Sequence, residues 1–151
     1  MAEQLEVSAE LINQKVKFTG ISKSNPDHPV TFDYHPPLGN GEGFAGLELF
    51  LLSFAGCSGT SVVYLLRKMG KKISGLKVNA KGIKRATLPI SFETILLEFI
   101  VESDDVNDLN IKKAIELSEE SVCPVWAMIK NNVQVITSYK VITPETIFPV
   151  L

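Results

Sequence analysis

An uncharged run of eighteen residues, 49–66, is the feature that most constrains this chain. Its apolar residues recur with the 3.6-residue period of an α-helix, and further apolar residues lie off that stripe. This pattern predicts a helix over residues 47–69 that is buried on most sides and ends at Gly70. The run is near the lower length limit for a membrane span, but small and polar residues occupy its middle, 56–61, where lipid tolerates them least. We therefore predict a helix inside a soluble domain and no membrane partner.

Composition and charge place the chain among ordinary globular proteins. It has 151 residues, 45% of them apolar and 21% charged, which is enough for a single domain over residues 1–151 with its own core. The net charge of −2 provides no basic surface for nucleic acid. The N-terminal segment has neither a basic stretch nor an apolar one, so we expect no secretory signal and a cytoplasmic location.

The rest of the chain shows alternating strand and helix patterns. Strands are predicted at residues 4–24, 30–34, 73–85, 91–102 and 134–141, with turns near Asn13 and at 25–27. A second helix is predicted from Asp104, interrupted by Pro124 and followed by a short helical turn over 125–131. Because tight turns join the strands, we expect an α+β domain with an antiparallel sheet and both helices on one face.

Two cysteines, Cys57 and Cys123, are the candidate reactive groups. Cys57 lies in mid-helix, where a cysteine usually acts as a small apolar core residue, but the small residues around it leave room for a substrate. Cys123 lies at a helix junction beside Pro124, close to a new helix start that would favour a thiolate. The two are 66 positions apart, so only the fold can bring them together. In a reducing compartment such a pair suits a transient, redox-active disulfide better than a structural one.

A metal site is the other chemistry that these residue types could carry. It would combine both cysteines with His28 and His35, but the cysteines form no close pair and each histidine lies beside a proline in a predicted loop. The sequence contains no glycine-rich motif for nucleotides. We therefore expect no metal and no cofactor.

Three segments carry a resemblance to a known family. Residues 48–58, ELFLLSFAGCS, are similar to the central-helix motif that carries the reactive cysteine in the OsmC/Ohr superfamily. Residues 121–125, with the strand at 131–135, resemble that family's second cysteine motif, and residues 16–20 resemble its N-terminal strand. The resemblance implies the OsmC-like fold: an antiparallel sheet, a long buried central helix and a second helix, assembled as an intertwined homodimer.

The resemblance also implies a function. By it, Cys57 is the peroxidatic thiol, which attacks a small organic hydroperoxide, and Cys123 is the resolving thiol, which then forms a disulfide with Cys57. An external dithiol reductant restores both thiols, so the reaction needs no cofactor. The implied role is defence against oxidative stress.

The groups that support the reactive thiolate in this family differ here. The family uses an arginine from the N-terminal strands and a glutamate ten residues before the cysteine. Leu47 occupies that glutamate position, and Glu48 follows it. The arginines of this chain, Arg67 and Arg85, lie outside the N-terminal strands, and Lys23 lies about where the family's arginine is expected. Glu48 and Lys23 are therefore the supporting candidates. Two alternatives stay open: a non-catalytic protein that binds a small ligand, and a structural dimer with inert thiols.

Overall fold

The computed structural model describes residues 3–144 and has the predicted α+β composition. The chain divides into two compact units, Met1–Phe50 and Leu51–Leu151. The described residues form one three-stranded sheet in each unit. The single domain predicted for residues 1–151 stays a prediction.

The first unit contains an antiparallel sheet of β1 (Val7–Leu11), β2 (Phe18–Ser22) and β3 (Asn25–Phe32). The predicted turn near Asn13 is present, and the Asn13 side chain accepts hydrogen bonds from two backbone N–H groups that follow it. Because that turn reverses the chain, residues 4–24 form two strands where we expected one. The second predicted turn was placed wrongly: residues 25–27 begin β3, and the chain reverses two residues earlier.

The loop after β3 is organised by a buried aspartate. The Asp33 carboxylate accepts hydrogen bonds from the backbone N–H groups of Tyr34, Asn40 and Glu42, at 2.8 to 3.1 Å. Burial by itself raises the pKa of Asp33, but these three donors and the positive charge of Lys17 outweigh it, so the pKa lies below its ordinary value. The charged carboxylate therefore stabilises the conformation of the loop through its backbone.

The long helix α1 (Gly46–Lys68) has the predicted bounds to within one residue. It begins in the first unit and continues into the second. Gly70, with a φ of 78°, ends it in the left-handed conformation that glycine adopts without strain. By length and composition alone this helix could cross a bilayer, a criterion that core helices of soluble proteins also meet.

Helix α1 is buried on one face only, so the expectation that it is buried on most sides was wrong. Phe54, Val62 and Leu66 are fully buried on one face. On the opposite face Leu52 is 52% exposed and Tyr64 is 55% exposed. Of the apolar residues off the main stripe, Leu52 and Tyr64 are exposed, whereas Ala55 is buried.

The second unit contains a mixed sheet of β4 (Gly75–Lys84), β5 (Phe92–Glu102) and β6 (Gln134–Ile142). Its core face is formed on β5 by Ile95, Leu97, Phe99 and Val101, which are at most 1% exposed. Strands β4 and β5 pair in antiparallel fashion, but β5 and β6 are parallel, which corrects the expectation of a purely antiparallel sheet. The tight-turn argument failed because a long helical connection between β5 and β6 returns the chain to the same end of the sheet.

That connection consists of α2 (Asp108–Leu117), a π-helix (Ser118–Val122) and α3 (Pro124–Ile129). Helix α2 begins four residues later than predicted, because Asn107 and Asn110 form a reciprocal capping box at its start. The π-helix was not predicted. It closes with a hydrogen bond of 2.9 Å from the Cys123 N–H to the Ser118 carbonyl, five residues back.

Candidate active site

Helices α1 and α3 pack together through an aromatic pair. The rings of Phe54 and Trp126 lie edge to face, with centroids 5.4 Å apart and an interplanar angle of 78°. Both side chains are buried, and such pairs add about 0.5 to 1.5 kcal/mol beyond their apolar burial. Phe54 is three residues before Cys57 and Trp126 is three residues after Cys123, so this contact brings the two cysteine segments together.

Cys123 is a buried thiol surrounded by hydrogen-bonding groups. Its side chain is 2% exposed, and it occupies the N-cap position of α3, directly before Pro124. The backbone N–H of Trp126 donates to the Cys123 Sγ at 3.5 Å, and the Ser58 Oγ lies 3.6 Å from the same sulfur. Proline at the first helical position suits this arrangement, because no intrahelical acceptor exists for an N–H there.

Cys57 is a partly exposed thiol on α1, close enough to the buried Cys123 thiol for Cys123 to affect its pKa. Both cysteines are free thiols. The structure thus places near each other two residues that are 66 positions apart in the sequence. Cys57 is the more exposed of the two and therefore the more accessible from solvent.

The environment of Cys57 within the chain favours the neutral thiol. Burial raises its pKa above the ordinary value, and the adjacent Cys123 thiol raises it further. A hydrogen bond from the backbone N–H of Val125 acts in the opposite direction but does not reverse the shift. Nucleophilic attack needs the thiolate, so a further group must stabilise the charge or accept the proton.

The two predicted supporting residues already have partners of their own in the first unit. The Lys23 Nζ contacts the Glu6 carboxylate at 3.0 Å, in an exposed ion pair. The Glu48 Oε1 accepts the backbone N–H of Ala45 at 3.1 Å, which satisfies one of the free N–H groups at the start of α1. These contacts give each residue a structural role in the first unit.

Two further groups at the thiols were missed by sequence reasoning. The hydroxyl of Ser58 and the backbone N–H of Val125 each contact a cysteine side chain. A serine next to a cysteine in a helix has no distinguishing pattern, and a backbone donor depends on the fold alone. The neighbouring residue Pro124 was the one available signal, because it predicts the start of a helix whose first N–H groups are free.

An apolar groove of about 680 Å³ runs along the exposed face of α1 in the second unit. Leu52, Gly56, Val63 and Tyr64 line it from the helix, and strand β4 supplies the opposite wall. Gly56 directly precedes Cys57 in the chain, but the Cys57 side chain is not among the residues that line the groove. Over residues 3–144, no group of three or more His, Cys, Asp or Glu side chains is placed to hold a metal ion.

Comparison with known proteins identifies the family. A sequence profile described as OsmC-like protein matches residues 39–138, a span that includes both cysteines. Protein YhfA of Escherichia coli K12 is 32% identical over 96 residues, which cover 64% of this chain and 72% of YhfA.

Solved structures give the same result for the fold. A hypothetical protein from Aquifex aeolicus superposes with a TM-score of 0.80 and 26% identity, covering 94% of this chain and 98% of that protein. An organic hydroperoxide resistance protein from Elizabethkingia anophelis has a TM-score of 0.74 at 15% identity, over 94% of this chain and 99% of that protein. The predicted fold is therefore confirmed. Since the profile matches more than half of its residues, the chain belongs to the OsmC-like protein family.

Proposed function

We propose that this protein reduces small organic hydroperoxides by a two-cysteine mechanism. The observation that carries the proposal is the proximity of two free thiols, one partly exposed and one buried, where α1 and α3 pack together. Structural neighbours of this fold include a protein named for organic hydroperoxide resistance, which supports the same substrate class.

The exposures of the two thiols support a division of roles. In the first step the Cys57 thiolate attacks the outer peroxide oxygen, the O–O bond breaks, and the alcohol leaves with a proton, so that Cys57 becomes a sulfenic acid. In the second step Cys123 attacks the Cys57 sulfur, and water leaves as the disulfide forms. An external dithiol then reduces the disulfide by exchange.

The raised pKa of Cys57 means that the chain's immediate environment does not provide the thiolate. We propose that Lys23 and Glu48 support it in the assembled protein. If so, Lys23→Met raises the thiol pKa of Cys57 further, measured by the pH dependence of its alkylation. Lys17→Met is the matched control, because Lys17 also forms an ion pair in the first unit, with Glu42 at 3.0 Å. If the two variants change the thiol pKa of Cys57 equally, Lys23 does not support the Cys57 thiolate.

We further propose that the protein is a homodimer. On β1, Val7 is 81% exposed and Leu11 is 50% exposed, and Val30 on β3 is 40% exposed. A small sheet with an open apolar face gains little stability alone, and a second copy would cover it. Sedimentation equilibrium of the full chain tests this proposal, and Val7→Lys should shift the protein toward the monomer. A wild-type protein that stays monomeric at high concentration would refute it.

The decisive experiment exposes the reduced protein to one equivalent of cumene hydroperoxide, followed by mass spectrometry. Wild-type protein should give the alcohol and a Cys57–Cys123 disulfide, whereas Cys123→Ser should stop at a sulfenic acid on Cys57. Cys57→Ser should consume no peroxide. If wild-type protein yields neither oxidised species, the peroxidase proposal is wrong.

One observation favours a second candidate, a binding protein without peroxidase activity. The raised pKa of Cys57 favours a neutral thiol, and the apolar groove on the same helix suits the binding of a small apolar ligand. This function predicts equal binding of an apolar fluorescent probe to wild-type protein and to Cys57→Ser. It also predicts that Cys57 is alkylated at neutral pH at a lower rate than a free cysteine in solution. Fast alkylation, with peroxide turnover, would eliminate this candidate.

We expect the protein to act in the cytoplasm, because two reduced cysteines in contact suit a reducing compartment. The net charge of −2 gives no reason to expect a nucleic-acid partner.

A further inference from the structure

Ser58 differs from its neighbours in how it uses its hydroxyl. Serine and threonine inside a helix commonly bond back to the carbonyl four residues earlier. Thr60 and Ser61 do so, donating to the carbonyls of Gly56 and Cys57 at 2.8 and 3.0 Å. The Ser58 side chain is fully buried, and its Oγ instead lies 3.6 Å from the Cys123 sulfur.

This contact adds a second hydrogen-bonding group to the surroundings of Cys123, and the hydroxyl can act as donor whenever the sulfur is deprotonated. The backbone N–H of Trp126 approaches the sulfur from α3, and the Ser58 hydroxyl approaches it from α1. Donors aimed at sulfur favour its anionic, nucleophilic form, and hydrogen bonds to charged groups are stronger than neutral ones. The hydroxyl also ties Cys123 to the helix that carries Cys57, one residue away.

We propose that Ser58 is a positioning residue for disulfide formation, acting through Cys123. This inference rests on the proposed two-cysteine chemistry. As the Cys123 sulfur bonds to the Cys57 sulfur, the S–O bond of the sulfenic acid breaks, and the departing hydroxide combines with the thiol proton of Cys123 to give water. Ser58 exchanges no atoms in this step. Its hydroxyl donates a hydrogen bond to the attacking sulfur and holds it against Cys57.

The test separates the two chemical steps. Reduced protein is mixed with cumene hydroperoxide, quenched at intervals with a sulfenic acid trap, and analysed by mass spectrometry. In Ser58→Ala we expect Cys57 to be oxidised at the wild-type rate, within about twofold, while disulfide formation slows about tenfold or more, as the loss of a hydrogen bond to a charged group implies. Trapped sulfenic acid should therefore accumulate in the variant.

Ser61→Ala is the matched control, because it removes another buried hydroxyl from the same helix that does not contact Cys123. It should leave the ratio of the two rates unchanged. If Ser58→Ala does not fold, Ser58→Thr and Ser58→Val are compared, since these side chains have the same shape and only Thr has the hydroxyl. We expect Thr to retain disulfide formation and Val to lose it.

A peroxide-independent measurement keeps this inference separate from the proposed function. A disulfide reagent that releases thionitrobenzoate first labels the more exposed Cys57, and Cys123 then displaces a second equivalent. Ser58→Ala should slow only that second release. If wild-type protein does not react with peroxide but Ser58→Ala slows the release, the peroxidase proposal fails and the role of Ser58 stands. If the second release is unchanged, or if both steps slow equally, Ser58 is not a positioning residue.

Discussion

Oxidation of the two thiols should stabilise the second unit, and the size of the effect follows from the fold. A disulfide between Cys57 and Cys123 would close a loop of 66 positions. The entropy that this removes from the unfolded chain corresponds to about 4 kcal/mol at 25 °C. The two cysteine segments are already packed together, with the Ser58 Oγ 3.6 Å from the Cys123 sulfur, so we expect little rearrangement. Losing the hydrogen bond from Ser58 costs about 1 kcal/mol. We therefore expect a net gain of about 3 kcal/mol in the free energy of unfolding.

Urea unfolding of the oxidised and reduced protein measures this difference. Trp126, the single tryptophan of the chain, is buried three residues from Cys123 and provides the fluorescence signal. The melting temperature should rise by about 6 to 12 °C on oxidation. Protein concentration must be the same in both samples, because association shifts apparent stability.

Cys57→Ser and Cys123→Ser are the controls, and the oxidant should change the stability of neither. An oxidised wild-type protein that is less stable than the reduced one would refute the reasoning, because closing the bond would then strain the fold. A disulfide that forms only between chains, seen on a non-reducing gel, would refute it as well.

Three further changes test other parts of the structure. Asp33→Asn should release the loop after β3, and we expect faster amide hydrogen exchange there. Because the pKa of Asp33 lies below its ordinary value, the loop of the wild-type protein should stay protected from exchange above about pH 4. That protection should be lost as the pH falls further and the carboxylate takes up a proton. Ser103→Ala should lower the free energy of unfolding by about 1 to 3 kcal/mol, since this buried hydroxyl donates to the Lys72 carbonyl and accepts two backbone N–H groups. Gly56→Ala should raise the free energy of unfolding by about 1 kcal/mol, because a Cβ there meets no atom within 4 Å. A lower melting temperature or a lower urea midpoint than the wild-type protein would contradict this.

The fold was predictable where periodicity was strong. The uncharged run predicted the bounds of helix α1 to within one residue, and alternation predicted the bounds of β5 equally well. The parallel pairing of β6 was missed because strand patterns carry no direction, and direction depends on the length of the connection. The π-helix was missed because its extra residue disturbs the helical period only once.

The candidate site was predictable in part. The sequence identified both cysteines as the groups of interest, but their spacing could not show that they touch, and that expectation came from family resemblance. The contact depends on Phe54 and Trp126, two buried aromatic residues that sequence reasoning could not distinguish from ordinary core. Lys23 and Glu48 were chosen by their positions in the sequence. Sequence alone could not show that Lys23 forms an ion pair with Glu6, or that Glu48 accepts a hydrogen bond from the backbone of Ala45.

The π-helix makes the orientation of Cys123 tolerant of one deletion before it. Its five residues turn the chain through nearly the same angle as four residues of an α-helix. Deleting one residue from Ser118–Val122 would let the segment revert to the tighter helix, and the Cys123 sulfur would keep its direction. Deleting two would turn everything after the segment by about 100° about the axis, so that the sulfur would face away from α1. Among relatives, a gap of one residue within this segment should therefore keep the second thiol, whereas a gap of two should coincide with its loss.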